Sequence, residues 1–138
     1  MGRGKILALD YGVKNIGLAC SDELRLVVRP LPSLPHPPKR ELIARLRSVA
    51  AAHDIRALVV GMPWNMDGSR GEAASRAAAL AELLERELGL PVECADERLS
   101  TVEARALWAS MTRRQQQRYR TVDSLAAALI LERHLGGG

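Results

Sequence analysis

Apolar and polar positions follow two different periods along the chain. KILALD is a short apolar run that ends on Asp10, and IGLACSD and LRLVVRPL are two further runs behind it. Their lengths and the short polar turns between them predict three successive strands. RPLPSLPHPPK then holds five of the seven prolines, which excludes helix or central strand and predicts an extended connector leaving the sheet. Beyond Pro38 the period changes: Leu42, Ile43, Leu46, Val49, Ala50 and His53 recur at helical spacing. IRALVVG reads as a buried strand with Gly61 at its end, and GMPWNMDGSRGE as a polar, glycine-rich loop. Ala73, Ala77, Leu80, Ala81, Leu84 and Leu88 mark a second helix, capped by a left-handed Gly89 and stopped by Pro91. PVECA predicts a short strand running into DERLST, where Ser100 or Thr101 can cap a third helix with Glu103 in its first turn. Val122, Leu125, Ala126, Leu129 and Ile130 define a last helix. The order β-β-β-α-β-α-β-α-α, without internal repeat, predicts an α/β architecture: a mixed sheet flanked by helices.

Composition narrows the class of protein. The 138 residues, 47% hydrophobic and 26% charged, predict one globular domain over residues 1–138 with a buried core. No apolar run approaches the ~20 residues that span a bilayer. MGRGKILALDYG begins with basic residues, but its apolar run meets Asp10 almost at once, unlike a signal peptide. MGRGKI also lacks the Ser or Thr of a myristoylation site. These features predict a cytoplasmic protein without membrane partners. Cys20 and Cys94 read as thiols buried in a reducing compartment, and His36, His53 and His134 stand too far apart for a zinc site.

Charge adds a candidate partner. The formal net charge is +4, which favours a polyanion. Its distribution says more, because no acidic residue lies between Glu103 and Asp123, whereas Arg105, Arg113, Arg114, Arg118 and Arg120 all do. A solvated arginine-rich loop would show the same pattern. Aromatic residues make up 3% and Phe is absent, which argues against base-stacking platforms such as those of an RNA-recognition motif and predicts that a nucleic acid would be held mainly by its backbone.

Acidic residues supply the candidate chemistry. Asp10 ends the first strand, Asp96 and Glu97 end the last, and Asp123 lies in the first turn of the final helix. Each has an ordinary structural explanation: a turn residue, a strand terminator, a favourable charge at a helix N-terminus. Strand ends of such sheets are nevertheless where sites form. Carboxylates gathered there repel unless a cation neutralises them, and hard oxygen donors suit Mg²⁺ or Mn²⁺.

ALDYGVKNIG, VVGMPWNMDGSRG, DERLSTVEA and VDSLAAALIL occur in this order, and with them the chain resembles the YqgF (RuvX-like) family within the RNase H-like superfamily. The resemblance covers nearly the whole chain. It implies an RNase H-like fold with a five-stranded mixed sheet, and a divalent-metal-dependent nuclease whose acidic set falls on Asp10, Glu97 and Asp123. In that reading Asp10 bridges two metal ions, Glu97 holds one and helps place the attacking water, and Asp123 completes the other coordination sphere. Asp96 and Glu97 point to opposite faces of a strand, so only one of them joins the site. Lys14, Asn65, Arg98, Arg113, Arg114, Arg118 and Arg120 are candidate contacts to the nucleic-acid backbone, with Asp67 and Gly68 in the same glycine-rich loop as Asn65. Trp64 and Trp108 read as packing residues.

Two departures from the family pattern are visible: Ala8 stands where glycine is common, and RRQQQRYRT replaces a short Gly/Lys-rich segment before VD. They leave the acidic set intact and put the substrate contacts in question.

The family implies two substrates: the 5′ end of precursor 16S ribosomal RNA, or four-way DNA (Holliday) junctions. Symmetric junction cleavage requires two sites on a homodimer, and the sequence shows no clear dimer surface, which places RNA first. A phosphotransferase of the actin and sugar-kinase kind also begins with Asp-x-Gly between strands, but needs a second such domain. A non-catalytic nucleic-acid scaffold would not require all three carboxylates.

Overall fold

The computed structural model describes residues 4–11, 15–35, 38–62, 71–96 and 100–136. Strands β1 (Lys5–Tyr11), β2 (Asn15–Ser21) and β3 (Val28–Pro35) form an antiparallel meander. Helix α1 (Lys39–Ala52), strand β4 (Ile55–Met62), helix α2 (Glu72–Leu88) and strand β5 (Val92–Asp96) follow, and then helices α3 (Ser100–Ser110), α4 (Arg113–Tyr119) and α5 (Val122–Gly136). The sheet order is β3-β2-β1-β4-β5, with β4 parallel to both β1 and β5. This is the expected five-stranded mixed sheet, with β1 at its centre.

Strand alternation divides the core between the two faces. Leu7 and Leu9 of β1, Leu18 of β2 and Leu58 and Val60 of β4 pack with Leu42 and Leu46 of α1 and with Ala77, Leu80 and Leu84 of α2. The alternate positions Ile6, Ala8 and Val59 pack against Ile130 and Leu131 of α5, and Ala19 against Ala127 and Ala128. Small residues on both sides of this second interface let α5 lie close to the sheet. Ser124, fully buried, donates its hydroxyl to the Leu31 carbonyl at 2.5 Å and fixes the start of α5 over β3. Gly89 ends α2 with φ 69°, the expected left-handed cap.

Two segments differ from expectation. The strand predicted from Leu24 begins only at Val28, and it continues through Pro30, Pro32 and Pro35, which had been expected to leave the sheet. β3 is an edge strand paired only with β2, so a proline without N–H forfeits no second ladder. Leu24, Leu26 and Val27 instead lie in the connecting turn and are exposed. Asp22 orders that turn, its Oδ1 accepting from the Leu26 and Val27 amides at 2.7 and 2.9 Å.

The second difference is α4, a helix inside the arginine-rich stretch. Thr112 accepts from the Gln115 amide, and the Gln115 side chain accepts from the Thr112 amide, a reciprocal capping box. The T-x-x-Q spacing was present in the sequence as a helix start.

Candidate active site

The parallel strands β1, β4 and β5 end on the same side of the sheet, and the helix α5 starts there. Asp10 is the penultimate residue of β1 and is only 7% exposed. By alternation with Ile6 and Ala8 it faces the α5 side. Its partner across the antiparallel ladder is Gly17 of β2, and Gly61 follows Val60, the β4 partner of Leu9. Glycine thus stands directly across from Asp10 on β2 and one residue beyond the paired Val60 on β4, positions where the backbone can be approached closely.

Gly17 also sets the position of Asp123. A β carbon built on Gly17 would lie 1.9 Å from the Asp123 carbonyl oxygen and 3.1 Å from the Asp123 β carbon. The first turn of α5 therefore rests directly on a bare strand backbone. Directly opposed strand positions hold their β carbons ~4.5–5.5 Å apart, and adding the 3.1 Å step puts the Asp10 and Asp123 β carbons within roughly 9 Å. Carboxylates on those stems can converge on one ion. The ladder of β2 with β3 shifts register between Ile16 and Leu18, at this same glycine, as bulges beside sites often do. Thr121 holds the helix start, its Oγ1 accepting from the Ser124 amide at 3.0 Å.

The structure thus brings together two of the three residues of the expected acidic set. Glu97 lies outside the described residues, as do Lys14, Asn65, Asp67, Gly68, Arg98 and Trp64. Asp96 ends β5 with its backbone paired to Met62. Among the described residues, no group of three or more His, Cys, Asp or Glu is assembled that could hold a metal. The residue that sequence reasoning missed is Gly17. It was visible as a glycine interrupting an apolar strand, a mark of close backbone approach, but its partner lies near the other end of the chain.

The helix that carries the arginines, α4, packs on α5 and β2. Tyr119 packs on Ala19, Ala127 and Ala128, and Gln116 donates to the Trp108 carbonyl at 2.8 Å. These two contacts seat one side of α4 and leave Arg113, Arg114 and Arg118 exposed on the other, with Arg120 exposed at its end. Trp108 packs with Ala104, Leu125 and Ala126, as its reading as a packing residue required. Arg120 closes α4 with φ 72° and ψ −61°, a backbone conformation that costs on the order of 1–3 kcal/mol in a residue with a β carbon.

The chain resembles known proteins along nearly its whole length. The profile of the RuvX family, described as Holliday junction resolvase, matches residues 4–137. A protein of Koribacter versatilis named "Putative pre-16S rRNA nuclease" is 40% identical over 132 residues, covering 96% of this chain and 86% of that protein. A relative of the same name from Cereibacter sphaeroides is 42% identical over 130 residues, covering 94% and 81%. Among solved structures, Thermus thermophilus RuvC in complex with a Holliday junction substrate superposes with TM-score 0.54 at 18% identity, covering 97% of this chain and 94% of that one. The fowlpox virus Holliday junction resolvase superposes with TM-score 0.58 at 10% identity, covering 97% and 99%. These likenesses place the sheet and helices in the RNase H-like fold. By its sequence from residue 4 to residue 137, the chain belongs to the RuvX family.

Proposed function

We propose that this protein is a divalent-metal-dependent nuclease that hydrolyses phosphodiester bonds, with precursor 16S rRNA, processed at its 5′ end, as the substrate. The observation that carries the reading is the contact of Asp123 with Gly17, the cross-strand partner of Asp10. A bland helix-start aspartate needs no such approach to a sheet carboxylate. The substrate rests on the names of the curated relatives.

The donor chemistry fits the cation the family implies. Asp10, nearly buried, and Asp123, half-buried, offer hard carboxylate oxygens at one crevice, as Mg²⁺ or Mn²⁺ requires. Support for Glu97 as third ligand is parity: the odd positions Glu93 and Ala95 of β5 turn toward α5, where Glu93 pairs with His134 and Ala95 packs near Ile130, and Glu97 continues the odd series. When bound, the metal supplies charge stabilisation for the attacking and leaving oxygens and activates water. Asp10, in the central strand, and Asp123, at a helix start anchored by Ser124, would hold that cation. Arg113, Arg114 and Arg118 attract the polyanionic backbone without reading sequence. Lys14, Asn65 and Arg98 join the substrate contacts in this reading, and the protein acts in the cytoplasm.

A four-way DNA junction is the second reading, favoured by the description of the family itself. It requires a homodimer presenting two sites.

Cleavage assays separate these readings. With Mn²⁺ or Mg²⁺, the wild type is expected to cut a precursor-rRNA fragment, and Asp10→Asn or Asp123→Asn to lose at least a hundredfold in rate. A four-way junction and single-stranded DNA are run in parallel. Cleavage of the junction alone shifts the substrate to DNA. Variants as active as wild type end the catalytic assignment, and ATP turnover without cleavage would favour the phosphotransferase.

A further inference from the structure

Among the described residues, three that are not glycine adopt positive φ: Arg25 at 61°, Asp54 at 52° and Arg120 at 72°. Two have local reasons. Arg25 Nε donates to the Gly4 carbonyl at 2.9 Å and ties the chain start to the β2–β3 turn. Asp54 belongs to a residue type that enters the left-handed region readily, and its carboxylate lies 3.6 Å from Arg56.

Arg120 has no such reason. Its ψ of −61° makes the strained, positive-φ form of the γ-turn, closed by the Thr121 amide donating to the Tyr119 carbonyl at 2.8 Å. A glycine would adopt this conformation at ease. The arginine side chain is exposed and, among the described residues, makes no hydrogen bond or ion pair that would offset the strain. The neighbours on either side dictate the conformation. Tyr119 is seated on Ala19, Ala127 and Ala128, and Thr121 is fixed as the cap of α5. Arg120 stands three positions before Asp123, so their Cα atoms lie within about 11 Å.

We propose that Arg120 grips a backbone phosphate of the substrate beside the Asp10–Asp123 crevice, and that the strained junction of α4 and α5 is retained to present its guanidinium there. The proposal rests on the nuclease reading above and names one positioning contact within it. A guanidinium fork matches phosphate oxygens two at a time, and no carboxylate between Glu103 and Asp123 in the chain competes for it. Arg113, Arg114 and Arg118 supply diffuse attraction from the outward side of α4. Arg120 differs in being held by its own backbone turn three positions before Asp123.

The test compares the wild type with Arg120→Gly and Arg120→Lys. Melting temperature is measured for each. Binding to a precursor-rRNA fragment and to a four-way DNA junction is measured across a salt series, with Ca²⁺ replacing the catalytic metal. Arg120→Gly is expected to melt roughly 2–4 °C higher, and to bind roughly three- to tenfold more weakly with a salt slope smaller by about one. Arg120→Lys, which keeps the charge and the strained backbone, is expected to keep the slope. Arg120→Gly with wild-type affinity and slope would overturn the proposal. So would weaker binding at an unchanged slope, since that effect would come from the backbone and not from a lost phosphate contact. A wild type that binds neither nucleic acid defeats the nuclease reading itself, a failure visible before any variant is compared.

Discussion

Position 17 accepts nothing larger than a hydrogen. Its neighbours are backbone atoms of Asp123, which cannot rotate away as a flexible side chain would. Gly17→Ala must therefore push the start of α5 off the sheet, and Ser124 resists through its bond to the Leu31 carbonyl. We expect a loss of ~1–3 kcal/mol in stability, read by urea titration. Cleavage should fall at least tenfold, because displacement of about 1 Å at a reacting centre carries that cost. All the acidic residues remain in this variant. Wild-type cleavage by Gly17→Ala would show that the spacing of Asp10 and Asp123 does not matter. Asp10 itself was legible as a candidate, because an apolar strand ending on a carboxylate stands out in one dimension. Its pairing with Gly17, and Gly17's with Asp123, joins segments far apart in the chain.

At the scale of elements, the turn between β2 and β3 shows how a local rule decides order. The Val27 and Leu26 amides, donating to Asp22, hold its carboxyl below the usual range against a smaller opposing effect of desolvation. A carboxyl whose folded pKa is lowered stabilises the fold above its unfolded value, and that contribution disappears as pH falls through the folded one. The amides of Leu26 and Val27 should thus lose protection from hydrogen exchange below about pH 4. In Asp22→Asn, whose amide oxygen accepts without titrating, their protection should be flat across that range. An equal pH response in the variant would place its cause elsewhere.

Helices α1, α2 and α5 were legible because each repeats apolar residues over several turns. The seven-residue α4 has no buried residue and leaves no such trace, only its capping box. β3 was misjudged for a related reason: proline argues against a strand only where two neighbours need its amide.

In the whole molecule, the two faces of the sheet have different tasks. Leu-rich packing beneath α1 and α2 supplies the bulk of the core, whereas the face under α5 is lined by Ala8, Ala19 and Gly17 and brings a helix start to the site. The two cysteines report on this organisation. Cys20 is 5% exposed in β2, and burial pushes its thiol up despite the opposing charges of Arg29 and Lys5. Cys94 is exposed on the edge strand β5. A thiol reagent should modify Cys94 within seconds and Cys20 only as the sheet opens, at a rate that follows global stability in mild urea. Equal rates for both would contradict the interior place of β2. The sequence expectation that both thiols are buried holds for Cys20 alone, since the exposure of an edge strand depends on which strand lies outermost.

The sequence by itself determined the order of the five strands and of every helix but α4, the mixed sheet, the family and Asp10 and Asp123 as candidates, because periodicity, glycine and proline chemistry and motif order are properties of one dimension. Only the tertiary structure decided that β3 keeps its prolines on an edge, that the arginine stretch is a helix seated by Tyr119 and Gln116, and that Arg120 stands in a strained turn. It alone set Asp123 against Gly17 and so beside Asp10. Such proximity arises from ladder register and helix packing between distant segments, and a linear pattern carries no record of which backbone will touch which.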